Sequence, residues 1–198
     1  GITYCNQYLA MAGDTDATMS AEIRFVRALH YFLLMDGWGN IPFTLEPMTK
    51  PEQRSRAQMY EWLEQELIGI EPALSEAKAK KSTDAGYGRV DKAACWLLLS
   101  RLYLNSEIYT GTAQWQKAKE YADKVIKSSY RLNTVGKGGW TAYQMLFMGD
   151  NGETDAAYEA LLPLLQDGLT TTSWGTSLFL IAGCFDGEMH ANPNDLTA

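Results

Sequence analysis

Cysteine and histidine are scarce in this 198-residue chain: Cys5, Cys95 and Cys184 stand far apart, and His30 and His190 are the only imidazoles. With no C-x-x-C pair, that set supports neither a zinc site nor a disulfide framework. Cys95 lies in Ala93-Ala94-Cys95-Trp96-Leu97, where it reads as a small buried hydrophobe, and no base stands near it to activate a thiol. Positive charge is also short: 17 Lys and Arg against 24 Asp and Glu leave a net charge of −7. That argues against nucleic-acid binding, which needs a basic face to displace counterions. No apolar run approaches the ~20 residues that span a bilayer. The opening Gly1-Ile2-Thr3-Tyr4-Cys5 has neither the basic nor the apolar part of a secretory signal, so any targeting segment is expected outside this sequence.

What is present is a hydrophobic content of 46% with 21% charged residues, the balance of a folded chain long enough for one domain or much of one. Aromatics reach 12%, with 6 Trp, 11 Tyr and 6 Phe, a resource for core burial and for binding faces alike. The acidic excess is local. Up to residue 132 acid and base balance; beyond it Lys137 alone opposes Asp150, Glu153, Asp155, Glu159, Asp167, Asp186, Glu188 and Asp195. Glycine, threonine and serine enrich the same tail half. Two regions follow, 1–132 and 133–198.

The first region reads as paired helices, and the expected class is all-α. Between Ser20 and Met35, Ile23, Val26 and Leu33 line one side and Phe25, Leu29, Phe32 and Met35 another, a helix buried between neighbours that ends in Asp36-Gly37-Trp38-Gly39-Asn40. A second helix is expected from Arg56 to Lys80, capped by Ser55, bent or broken at Pro72, and closed by Lys78, Lys80 and Lys81. A third starts at Asp91. A fourth runs from Thr112 to Ser128 with Trp115, Ala118, Ala122, Val125 and Ile126 inside. Alanines at the close-packing positions of helices three and four let two axes approach, as in tetratricopeptide-like repeats. The tail half predicts loops with short helices or strands; Leu178–Ala182 could form a buried strand, and Tyr158–Leu165, interrupted by Pro163, either state.

The string Ala21-Glu22-Ile23-Arg24-Phe25-Val26-Arg27-Ala28-Leu29-His30-Tyr31-Phe32, followed by Asp36-Gly37-Trp38-Gly39-Asn40-Ile41-Pro42-Phe43, resembles the SusD/RagB family. Further motifs follow in the family's order: Ser55-Arg56-Ala57, Glu66-Leu67, Tyr87-Gly88-Arg89, Ala93-Ala94, Leu99-Ser100-Arg101-Leu102-Tyr103-Leu104, Trp115 with Ala118 and Ala122, then Asp167-Gly168 and Thr172-Ser173-Trp174-Gly175. Together they cover roughly residues 20–182 and are far more specific than any one motif. Members are normally several hundred residues longer and carry a lipid-bearing Cys, a role Cys5 is not given. The resemblance implies an internal fragment or truncated member whose lipid anchor lies outside this chain.

It also implies a tetratricopeptide-like scaffold on the outward face of a bacterial outer membrane. There it would capture oligosaccharide or polysaccharide without cleaving it and deliver it to a SusC-like TonB-dependent transporter. No cofactor is implied. Such capture needs exposed aromatic rings against sugar C–H faces, with polar side chains for the hydroxyls. Trp62, Trp96 and Trp115 lie on apolar helix stripes and read as core. Trp174 and Trp140, in glycine-rich loop contexts, are the leading ligand-binding candidates; Tyr143 and the glycine-flanked Trp38 follow, with Asp167 and Asn151 as polar partners. The run Asp150-Asn151-Gly152-Glu153-Thr154-Asp155 lacks the spacing of an EF-hand loop and reads as a solvated acidic turn, not a metal site. The acidic tail half favours a neutral glycan. Two rivals remain: a glycosidase using Asp167 and Glu188, which nothing places at a working separation, and a protein-binding adaptor of tetratricopeptide type.

Overall fold

The helices form where caps and apolar periodicity coincide. In the computed structural model, which describes residues 1–165 apart from Asp14, α1 spans Ile2–Ala12 and α2 spans Ala17–Trp38. Asp16 caps α2 by accepting a hydrogen bond from the Met19 backbone N–H at 3.0 Å. The helix runs through Gly37 and Trp38 and stops at Gly39, whose φ of 78° an L side chain resists. Phe25, Phe32 and Met35 are buried as the pattern predicts, Ala28 and Tyr31 are buried as well, and Leu33 is exposed. The chain then makes a short antiparallel ribbon, β1 (Ile41–Phe43) with β2 (Glu52–Arg54), pairing Ile41 with Arg54 and Phe43 with Glu52.

The helix α3 covers Arg56–Ile70, opened by a capping box in which Ser55 and Gln58 exchange hydrogen bonds. It is ten residues shorter than its apolar spacing suggests. Pro72 converts its end into a single 3₁₀ turn, Glu71–Ala73, and the chain beyond is extended. Lys78, Lys80 and Lys81 therefore close no helix; the Lys78 backbone N–H instead donates to Asp91 Oδ2 at 3.2 Å. Asp91 also caps α4 (Lys92–Leu104) through the backbone N–H groups of Ala93 and Ala94. A short α5 follows (Ser106–Thr110), then α6 (Trp115–Ile126). The helices α4 and α6 pack closely enough for the Ser100 hydroxyl to donate to the Ala118 carbonyl at 2.8 Å, an approach that small side chains permit.

Two expectations for α6 fail. Trp115 is 62% exposed and Ile126 is exposed as well, because α6 buries only the row around Ala118 against α4. Trp62 and Trp96 are half-buried: Trp62 packs edge-on to Tyr31 and Phe43, and the Trp96 indole donates to Glu71 at 2.7 Å.

The motif Glu22-x-Arg24-x-x-Arg27 has a physical use. Arg24 grips Glu66 with two hydrogen bonds of 2.9 and 2.6 Å, Arg27 reaches Glu66 at 3.0 Å and Asn6 at 3.0 Å, and Glu22 accepts from Arg89 at 2.6 Å. Together these ties join α1, α2 and α3 to the loop before α4. Cys5 and Cys95 are buried free thiols; burial pushes Cys95 up to about 12, which leaves it inert. Cys184 lies outside the described residues.

The compact unit described here is Gly1–Pro163, and Leu164–Ala198 separates from it as a second. From residue 133 the described chain is irregular apart from α7 (Ala142–Met145) and a 3₁₀ turn, Asp155–Glu159. Tyr158–Leu165 forms no regular element beyond Glu159. The Leu178–Ala182 strand expectation lies outside the described residues.

Candidate functional site

A tight turn and a capped helix set the geometry of residues 137–151. Lys137 and Trp140 exchange backbone hydrogen bonds of 3.1 and 3.0 Å, leaving Gly138 and Gly139 as the two central residues. Both have positive φ, 61° and 86°, the pair of values a two-residue hairpin turn demands and glycine supplies. Trp140 leaves that turn 51% exposed. The next residue, Thr141, opens α7 with a capping box: its hydroxyl accepts from the Gln144 N–H, and its own N–H donates to the Gln144 side chain at 2.9 Å. Met145 is buried and anchors the inner side.

On the outer side, Tyr143 and Phe147 sit one turn apart. Their rings meet edge-to-face, centroids 5.2 Å apart and planes at 64°, yet they are 70% and 72% exposed. Three large rings from one eight-residue stretch thus face solvent, surface that a folded chain ordinarily covers unless something else uses it. Because the planes are tilted, the surface is faceted, not flat. Phe147 was not among the sequence candidates. The signal was its i+4 spacing from Tyr143, masked by the apolar run Met145-Leu146-Phe147-Met148, which reads as core.

Two asparagines brace this stretch. Asn133 donates to the Ala142 carbonyl at 2.8 Å, and its own backbone N–H donates to Glu159 at 2.7 Å. Asn151 donates through Nδ2 to the Leu146 carbonyl at 2.8 Å, so its amide holds the turn that follows α7. The structure therefore brings Trp140, Tyr143 and Asn151 into one segment. Trp38 is elsewhere, 73% exposed on the last turn of α2, where the neighbouring Asp36 accepts from Tyr109 at 2.6 Å. Trp174 and Asp167 lie outside the described residues.

The acidic run beside the site is tied to cations. Asp155 accepts from Lys81 at 2.8 Å and faces Arg131 at 3.5 Å; the Lys81 hydrogen bond holds its carboxyl below the usual carboxylate range. Asp150 lies 3.9 Å from Lys137.

These features define a helical scaffold bearing an open aromatic surface. No family model matches the sequence. It is 42% identical over 188 residues to the starch-binding protein SusD of Bacteroides thetaiotaomicron, a match covering 92% of this chain and 32% of that protein. Among solved structures, surface glycan-binding protein A from Bacteroides uniformis is 29% identical with a TM-score of 0.54, over 67% of this chain and 31% of that one. A SusD-like protein from Bacteroides fragilis superposes with a TM-score of 0.60 at 19% identity, over 78% of this chain and 30% of that one. The chain is a SusD-like family member, and it spans about a third of the length of the curated relative it matches. Those relatives are named for binding, not for a reaction.

Proposed function

We propose that this chain supplies part of a non-catalytic, cell-surface glycan-binding protein, with residues 1–132 as the scaffold and 133–198 as the ligand face. The observation that carries the reading is the exposed set Trp140, Tyr143 and Phe147 on a braced, capped turn. Aromatic faces take up the C–H surfaces of sugar rings at little entropic cost, since the rings are already held. A faceted pair suits a bent or helical chain better than a flat ribbon. Trp174 and Asp167 stand as further ligand-binding candidates on their sequence context, Asn151 as a polar partner beside the aromatic set, and Trp38 as a separate candidate. The starch- and glycan-binding names of the relatives support a carbohydrate ligand. The local acid excess favours a neutral one. Delivery to a SusC-like TonB-dependent transporter at the outward face of the outer membrane belongs to the same proposal.

Isothermal titration against neutral and anionic polysaccharides tests it. Binding to a neutral glycan, weakened by Trp140→Ala, is the expected result; binding to anionic glycans alone overturns it. A second reading, a protein-binding adaptor, is favoured by one observation: Leu97, Leu104 and Ile108 are exposed at steps of seven and four along α4 and α5. Retention of a protein partner by a chain that binds no glycan would favour the adaptor.

A further inference from the structure

Beside the aromatic face lies a cavity of about 180 Å³, whose walls include Tyr87, Leu146, Asn151, Glu159, Ala160 and Pro163. Its polar groups are mounted rigidly. Ser82 donates to the Gly152 carbonyl at 2.8 Å, which ties the loop carrying Tyr87 to the turn after α7. Gly152 lets the phenol pass close by: a Cβ there would sit 3.0 Å from the Tyr87 hydroxyl. Asn151 is fixed through its Nδ2, and Glu159 through the Asn133 N–H on Oε2. That leaves Asn151 Oδ1, Glu159 Oε1 and the Tyr87 hydroxyl without partners among the described residues. Two of the three can only accept.

A ligand for such walls must bring several O–H donors and apolar C–H surface for Leu146, Ala160 and Pro163. It cannot be anionic, because the Glu159 carboxylate would repel it. It must also be small, since the volume falls below the roughly 300–1,000 Å³ of drug-sized sites. We infer that this cavity seats a single neutral pyranose residue, the end or a side branch of a glycan whose neighbouring sugars lie on Tyr143 and Phe147. Leu146, the residue after α7, stands between those two in the chain, so cavity and aromatic face share one short segment. The inference rests on the glycan-binding reading and adds to it a subsite that selects chain ends or branches.

The test uses the methyl glycosides of glucose, galactose and mannose as probes, with ligand-observed NMR and titration calorimetry on the whole chain. At least one binds, Tyr87→Phe weakens it about five- to tenfold by removing one hydrogen bond, and Ala160→Phe, at an exposed position on the rim, abolishes it. Trp140→Ala combined with Phe147→Ala leaves monosaccharide binding in place while weakening oligosaccharide binding. Circular dichroism checks each variant's fold, and Tyr87→Phe decides should Ala160→Phe misfold. If oligosaccharides bind but methyl glycosides do not, or bind indifferently to both cavity changes, the subsite is wrong and the glycan reading survives. If no glycan of any length binds, both fall.

Discussion

Phe147 and Tyr143 illustrate what a single side chain does in this chain. Both rings are largely exposed, so truncating either should leave folding stability within about 0.5 kcal/mol. Ligand affinity should behave otherwise: Phe147→Ala is expected to raise Kd about tenfold, roughly 1.4 kcal/mol, measured by calorimetry with a neutral oligosaccharide. Tyr31 is the opposite case. Its buried hydroxyl donates to the Thr44 carbonyl at 2.7 Å and accepts from the Thr44 N–H at 3.0 Å, pinning the strand exit to α2. Tyr31→Phe leaves the Thr44 N–H without its partner, while the carbonyl keeps the Asn6 amide at 3.0 Å, and should cost about 1–3 kcal/mol in urea denaturation. Residue type alone separated these roles only in part. Trp140 and Tyr143 were legible as exposed because glycine and polar residues surround them. Trp115 was not, since its place on a helical apolar stripe says core while only a neighbouring element decides whether that stripe is covered.

Elements were more legible than side chains where a cap marked them. Ser55, Asp91 and the glycine at 39 fix the ends of α3, α4 and α2 through hydrogen bonds or backbone angle that the residue type itself encodes. The far end of α3 shows the limit: apolar residues continue at helical spacing past Ile70, but Pro72 removes a donor and the periodicity cannot say whether the helix bends or stops. The turn before α7 carries its own test. Gly138→Ala and Gly139→Ala both force an L side chain to positive φ, each costing about 1–2 kcal/mol locally. Thermal melting should change little because the turn lies outside the core, while glycan affinity should fall as Trp140 loses its mount.

For the whole molecule, the Arg24–Glu66–Arg27 network, extended to α1 through Asn6, links three helices, and its protonation makes the fold sensitive to acid. Burial alone would raise the Glu66 carboxyl; the hydrogen bonds and charges of Arg24 and Arg27 outweigh it and hold the group below its ordinary range. A depressed acid contributes stability above its unfolded value, about 4.3, and that contribution is lost as pH falls through the lower folded value. Glu66→Gln should therefore cost about 3–5 kcal/mol at pH 7, by leaving Arg27 buried without its charge partner, and the gap to the native chain should narrow below pH 4 in chemical denaturation. The family motif made this region recognisable from residues alone. Its purpose as an ion-pair junction was not legible, because Glu66 lies some forty residues away and only the fold brings it there. In the proposed function, solvent-facing rings on residues 140–147 capture neutral glycan. Native gel electrophoresis with neutral polysaccharides cast into the matrix tests it most directly, comparing the chain with its Trp140→Ala, Tyr143→Ala, Phe147→Ala triple variant. Retardation by at least one glycan, abolished in a variant that keeps its helical circular dichroism, is the predicted result; equal retardation of both proteins, or of neither, would contradict it.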